Sequence, residues 1–373
     1  MTVFQCKWAL MGLSSIATTF VDDLLLSRDP SEPIVHVLSC VSTTSAVSRA
    51  KTWLGDRKGL DVSSAMIYTS AEEMLKSGDF DIVYISTPHP VHYEQAKLAI
   101  ANGRNVLLEK PATMNLAQFK VLIDLAKSSG VVLMEAMWTR YLPAVKYLES
   151  ELLPKIGTVK RVFSDLSVPI ASEEMDITSR LMDKRAGAGA ILDMGVYALT
   201  WADIAFGGNP AAKVSYASTI EYDTGKDKID DINTIVVSAP DSVAIVTTSL
   251  TLAGSATHPD KLSVPKVSPS VRIEATNAQV SIPFPLIRPQ QLQIEWYDIP
   301  HLDAGNNEFR ELVDKPVERG WGLWYEADVI AAYIRDGKKG VVIGEEESVR
   351  VLGWMDSARK MAGIVYDADQ EAV

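Results

Sequence analysis

The sequence predicts an α/β fold in two parts: a doubly wound parallel sheet, then an α+β domain with an open, mainly antiparallel sheet. Three observations predict it. At 373 residues the chain is longer than one hydrophobic core usually supports. Its first part alternates short, all-apolar, β-branched runs with helical patterns, as strands covered on both faces by crossover helices require. After about residue 135 the strands lengthen, alternate apolar with polar residues and follow one another closely, which favours antiparallel pairing. The expected boundaries are 1–135 and 136–373.

In the first part the strands expected are Gln5–Met11, Ile34–Val41, Ile82–Ser86, Asn105–Leu108 and Val131–Met134. Helical spacing of apolar residues places helices between them at Ile16–Leu26, Ser45–Trp53, Ala71–Lys76, Val91–Ala101 and Leu116–Ser128. Gly103 and Gly130 stand where left-handed caps would end two of these helices. In the second part, strands are expected at Thr158–Pro169, Val214–Tyr222, Asn233–Ala239, Val243–Thr251, Val271–Ile282 and Leu292–Ile299. Helices interrupt them at Ala144–Leu153, Val196–Phe206, Leu323–Asp336 and Glu345–Ala362. The proline-bearing stretch Thr257–Pro269 reads as a surface loop.

Composition narrows the function. With 48 acidic and 36 basic side chains the formal charge is −12, which speaks against nucleic acid and anionic membrane surfaces as partners. The hydrophobic fraction of 47% suits an ordinary globular protein. Cys6 and Cys40, the two cysteines, both lie in apolar runs and read as buried, reduced thiols. Trp8–Phe20 has the look of a signal-peptide core, yet it is too short to span a bilayer and runs directly into Asp22 and Asp23. A cytoplasmic location is expected.

The turn after the first strand reads Gly12-Leu13-Ser14-Ser15-Ile16-Ala17, the dinucleotide fingerprint G-x-G-x-x-A with Ser14 in the second glycine position. Such a turn aims backbone amides at a pyrophosphate from a helix N-terminus. At the end of the second strand an NAD site would place an acid for the ribose 2′-hydroxyl, yet no Asp or Glu occurs between Glu32 and Asp56. Ser42, Thr43, Thr44 and Arg49 stand there instead, either to accommodate a 2′-phosphate or as helix-capping hydroxyls. NADP is therefore expected, with NAD possible.

Further strand ends carry Ser86-Thr87-Pro88-His89, with His92 three residues on, and Glu109-Lys110-Pro111. The first would lie beside the cofactor. In the second, a lysine can orient a substrate oxygen and lower the pKa of a neighbouring acid, or be half of a solvated surface pair. Another strand end brings Trp138, Arg140 and Tyr141. A small-residue loop at 186–190 leads to Asp193, an N-cap or a supporting carboxylate, and to Tyr197 at i+4, where core packing is equally open. His89 and His92 find no Cys or carboxylate partners at zinc spacing, and no G-x-S-x-G elbow occurs, so neither a metal site nor a serine hydrolase is expected.

Taken together, Thr87-Pro88-His89, Glu109-Lys110-Pro111, the run from Met134 to Tyr141, Asp165-Leu166-Ser167 and the run from Leu192 to Tyr197 resemble the Gfo/Idh/MocA family of NAD(P)-dependent oxidoreductases. Within it, the sequence is most similar to the branch of NADP-dependent D-xylose 1-dehydrogenases and dimeric dihydrodiol dehydrogenases. That resemblance implies a Rossmann domain and catalysis by Lys110 with Tyr197 as acid/base, supported by Asp193. It implies a cofactor site of Gly12, Leu13, Ser14, Ser15, Ile16, Ser42, Thr43, Thr44, Arg49, Thr87, Pro88, His89, His92, Glu109, Lys110, Trp138 and Arg140. Substrate would meet Lys110, Trp138, Arg140, Arg180, Asp193 and Tyr197. A sugar or diol substrate and a homodimer formed through the sheet of the second domain are also implied. A keto-sugar or dicarbonyl reductase and a non-catalytic dinucleotide sensor are the alternatives. Ser14, Ala198 and Trp321 depart from the residues frequent in the family, and Trp321 bears on the substrate most.

Overall fold

The computed structural model describes residues 3–60, 64–171, 179–254, 269–297 and 310–373. They form two compact units. The first takes the chain up to Trp138 together with 318–345 and 371–373; the second takes 139–317 and 346–370. The sequence reading, by contrast, assigns 136–373 wholly to the second domain.

The first unit holds strands β1 (Phe4–Met11), β2 (Ile34–Ser42), β3 (Met66–Tyr68), β4 (Ile82–Ile85), β5 (Asn105–Glu109) and β6 (Val132–Ala136). Between them run α1 (Ser15–Leu24), α2 (Val47–Gly55), α3 (Ala71–Ser77), α4 (His92–Ala101) and α5 (Leu116–Ser129). Hydrophobic burial explains the all-apolar strands: every residue of β4 and β6 is buried. Local signals set the helix ends. Asn115 caps α5 by accepting from the Gln118 amide, and Gly130 ends it at φ 70. Gly103, after α4, also has a positive φ of 71.

Seven parallel strands form this sheet, in the order β15-β6-β5-β4-β1-β2-β3. Strand β15 (Val341–Ile343) and the short β3 escape the sequence reading. Each has only three residues, too few for a periodic signal. The helix preceding β15, Trp324–Arg335, packs on β6, β2 and α1, so the chain returns to the first unit after residue 317. Asp23 in α1 secures that return. Its buried carboxylate accepts from the backbone amides of Trp321, Gly322 and Leu323 at 2.7–3.1 Å. Charge-assisted bonds of this kind are worth about 1.5–3 kcal/mol each. The neighbouring Arg28 and His36 side chains both reach Asp328, at 2.6 and 2.8 Å.

An aromatic column fills the middle of this unit. Phe20 meets Trp8 edge-on at 5.1 Å between centroids and stacks on Tyr84 at 4.0 Å. The Tyr84 hydroxyl then donates to Glu109 at 2.5 Å.

In the second unit eight strands run in the order β14-β13-β12-β11-β7-β10-β9-β8. These are β7 (Val159–Ser167), β8 (Lys213–Asp223), β9 (Lys228–Ser238), β10 (Val243–Ser249), β11 (Val271–Ala275), β12 (Ala278–Ile282), β13 (Gln291–Trp296) and β14 (Arg310–Asp314). Every pairing is antiparallel except β7 with β10. Val271–Ile282 is therefore a hairpin rather than one strand, turning at Thr276 and Asn277. The expected Leu292–Ile299 ends at Trp296, residues 298–299 lying outside the described residues, as does most of Thr257–Pro269. The expected helix 144–153 is α6 (Pro143–Tyr147) continued by a π turn, Leu148–Leu152. Helix α7 (Val196–Ala205), buried along its whole length, lies against β7 and β10. In chain order α8 is Trp324–Arg335, α9 is Glu345–Ala362 and α10 is Ala368–Glu371.

Candidate active site

A cleft of about 310 Å³ opens at the carboxyl ends of β1, β2 and β4. This is where open parallel sheets bind ligands. Its first wall is the turn from β1 into α1. Gly12 adopts φ +95, and a Cβ there would lie 3.1 Å from the Ser86 carbonyl oxygen and 3.0 Å from the Thr87 methyl carbon. Only glycine lets the backbone run so close to the end of β4. Ser14 is the N-cap of α1, its hydroxyl accepting from the Ala17 amide at 3.2 Å. Ser15 and Ile16 open the helix itself, so both lie in its first turn and neither lines the cleft.

The second wall is the end of β2. Ser42, Thr43, Thr44, Ser45 and Arg49 all line the cleft. The capping role left open for these hydroxyls does not hold, because the N-cap of α2 is Ala46 and has no side-chain cap. Thr43 instead accepts from the Ser45 amide at 3.0 Å. Among the described residues, none that lines the cleft is acidic, and Arg49 is the one that carries a charge. In a chain of net charge −12, a carboxylate-free cleft with a cation at its rim suits a phosphorylated ligand.

Thr87 and Pro88 close the third side with Ala71, Val91 and Gln95. Thr87 donates to the Gln95 side chain at 2.7 Å. Met11, Ser45, Ala71, Val91 and Gln95 escape the sequence reading; Gln95 lies one turn into α4. His89 and His92 do not line the cleft. His92 is fully buried, with Nε2 2.8 Å from the Thr87 carbonyl and Nδ1 3.1 Å from the Pro111 carbonyl. Burial pulls its pKa down to about 4, so the ring is neutral; with a single N–H it donates to one of these two carbonyls and lies against the other, between the Thr87 and Pro111 turns. His89 packs edge-on against it at 5.7 Å.

Two buried carboxylates hold the Glu109-Lys110-Pro111 turn. Glu109 accepts from the Lys110 amide at 3.1 Å, and Glu135 on β6 accepts from the Ala112 amide at 2.9 Å. Proline has no amide of its own, so each donor on either side of Pro111 has a partner. Trp138 is buried and ends the first unit.

Arg140, Arg180, Asp193 and Tyr197 belong to the second unit. Arg140 donates to Asp203 at 2.8 Å, and Arg350 donates to the same buried carboxylate at 2.7 Å, which gives Arg140 a structural anchor. Arg180 reaches Asp193 at 3.5 Å. Asp193 is not a cap: it lies within a π turn, Ile191–Gly195, which begins at Ala190 and leads into α7. Tyr197, two residues into α7, is 8% exposed. Residues 172–178, next to Arg180, lie outside the described residues. Among the described residues, no group of three or more His, Cys, Asp or Glu side chains is placed to hold a metal ion.

Comparison with known proteins agrees with this layout. Residues 6–137 match the GFO/IDH/MocA oxidoreductase family, NAD-binding Rossmann fold, and residues 154–279 match the GFO/IDH/MocA C-terminal domain. The D-xylose 1-dehydrogenase (NADP(+)) of Hypocrea jecorina is 31% identical over 97% of this chain and 93% of its own length. The trans-1,2-dihydrobenzene-1,2-diol dehydrogenase of Sus scrofa is 28% identical over 98% of this chain and 99% of its own. Among solved structures, the 3-ketoreductase KijD10 of Actinomadura kijaniata, in complex with NADP and TDP-benzene, superposes at a TM-score of 0.75 with 18% identity, covering 96% of this chain and 98% of that one.

The Gly12 geometry gives a direct prediction. Gly12→Ala forces an L side chain into a left-handed conformation, at about 1–2 kcal/mol, and obstructs the cleft. Calorimetric titration with a reduced dinucleotide should show about tenfold weaker binding or worse. Unchanged affinity would contradict the placement of the cleft.

Proposed function

We propose, since this chain belongs to the GFO/IDH/MocA family of oxidoreductases, that it is an NADP-dependent dehydrogenase oxidising an aldopyranose, D-xylose to xylonolactone. The observation that carries the cofactor assignment is the carboxylate-free cleft, with Ser42, Thr43, Thr44 and Arg49 at the end of β2. An acid there would hold a ribose hydroxyl and repel a 2′-phosphate; hydroxyls and a guanidinium accept it. The assignment of D-xylose rests on the Hypocrea jecorina relative, similar over nearly the whole of both chains.

NADP, when bound, supplies the hydride acceptor. Ser14 and the first turn of α1 would hold its pyrophosphate. The Lys110 ammonium orients the anomeric hydroxyl and lowers its pKa. Tyr197, as its phenolate, would take that proton as the C1–H bond gives up its hydride, and Asp193 with Arg180 would support the start of α7. The products are a lactone, which hydrolyses to the aldonic acid, and reduced cofactor.

A second reading, oxidation of a trans-dihydrodiol by the same residues, is favoured by the Sus scrofa relative, and Trp321, 56% exposed, bears on the choice. Presence of both Lys110 and Tyr197 favours an enzyme over a dinucleotide sensor. The second unit's sheet exposes Tyr216, Ile220 and Leu312, area that a second copy of the chain would cover in a homodimer. A cytoplasmic location accords with the free, buried thiols of Cys6 and Cys40. Among the described residues no helix is long and apolar enough to cross a membrane.

Initial rates at the reduced-nicotinamide absorbance band test the function. D-Xylose with NADP⁺ should give rapid, saturable turnover, slower with NAD⁺. Lys110→Ala should lower kcat by ~10²–10⁴ at unchanged melting temperature. No turnover with D-xylose but turnover with a dihydrodiol would select the second reading. Tight NADPH binding with no turnover of either would select the sensor. Sedimentation equilibrium should give a dimer mass that Ile220→Glu reduces to one chain; a wild-type monomer would refute the dimer.

A further inference from the structure

Behind the Lys110 turn the first unit buries a third carboxyl that the mechanism does not use. Glu326, in α8, is completely buried, and neither of its oxygens has a hydrogen-bond partner. Helix α8 packs on β6, which carries Glu135, and β5 beside it carries Glu109. The three side chains differ sharply in what they receive. Glu109 accepts from the Tyr84 hydroxyl and the Lys110 amide, and Glu135 accepts from the Ala112 amide. Donors of this kind favour the ionised form. Glu326 receives nothing.

We propose that Glu326 is the proton-holding member of this buried set and acts as a positioning residue. By staying neutral, it leaves Glu109 and Glu135 ionised to grip the amides on either side of Pro111, and so fixes Lys110. Two buried carboxylates with donors are tolerable in one region, whereas a third without donors adds desolvation and repulsion together. Burial first, then the charges of Glu109 and Glu135, push the Glu326 acid well above the usual carboxylate range. The other charged groups around α8 are engaged elsewhere. Arg28 and His36 hold Asp328, and Asp23 holds the amides of 321–323. Should Glu326 ionise, the set must bear a third charge or protonate Glu109 or Glu135, and either loosens the turn.

The catalytic meaning of this arrangement rests on the role given to Lys110 above, but the proton's location does not. Wild type and Glu326→Gln should therefore be compared in three ways. At neutral pH the infrared carbonyl stretch of a protonated carboxylic acid should be present in the wild type and diminished in the variant. The acid's contribution to stability is whole below the unfolded pKa of about 4.3 and is lost as pH rises toward the raised folded value. The amide has no such loss. The variant's melting temperature should thus gain on the wild type steadily from pH 5 to pH 9, whatever the starting difference. The ratio of kcat at pH 9 to kcat at pH 7 should likewise be higher in the variant.

An infrared difference showing no lost acid, or a melting-temperature gap that does not change with pH, would overturn the proposal. An equal kcat ratio in both proteins would overturn its link to Lys110. Absence of sugar turnover in both proteins would count against the function assigned above, while the first two measurements still decide where the proton sits.

Discussion

The close approach of the Gly12 backbone to the end of β4 is the constraint on which the cleft at the carboxyl edge of the sheet depends. The Ser86 amide donates to the Met11 carbonyl at 2.9 Å, and the Ser86 hydroxyl donates to the Gly12 carbonyl at 3.1 Å. With the strands this close, the turn needs a residue without a side chain and with a left-handed φ. Helix α1 then starts beside the carboxyl edge of the sheet, with Ser14 serving as its cap. The end of β2 adds Ser42, Thr43, Thr44 and Arg49 to that cleft, with no carboxylate among its described lining residues.

A second line of force runs from the core to the lysine. Trp8, Phe20 and Tyr84 pack in a column whose outer hydroxyl ends on Glu109. Glu109 and Glu135 hold the backbone around Pro111, and His92 lies between that backbone and Thr87 in the cleft wall. Fixing the backbone on both sides of Pro111 limits how far the Lys110 side chain can wander, which the role proposed for it requires. Burial is what makes the polar contacts count, since an unpaired buried group costs more than a pair contributes.

Much of this was legible in the sequence, for identifiable reasons. Long elements with clear periodicity, such as β1, β2 and α5, announce themselves, and Gly130 marks an end because a left-handed cap demands it. Gly12, Ser42, Thr43, Thr44, Arg49, Thr87 and Pro88, singled out from the sequence, line one cleft because strand ends in a parallel sheet share one edge. Long-range returns were not legible. Strand β15 and helix α8 join the first sheet some 200 residues after β6, a choice made by packing and by Asp23 rather than by local pattern. The partners of polar residues near strand ends were not legible either: His92 is buried between the Thr87 and Pro111 carbonyls, and Arg140 donates to Asp203. Glu326 sits in an ordinary helical pattern, and only its surroundings single it out.

The central claim is hydride transfer from the anomeric carbon of a sugar to a nicotinamide, and isotope tracing tests it most directly. D-Xylose deuterated at C1 should be turned over with NADP⁺, and mass spectrometry should find the deuterium in the reduced cofactor, with the sugar recovered as aldonic acid. Reduced cofactor free of deuterium, or deuterium retained in an oxidised sugar, would contradict the account.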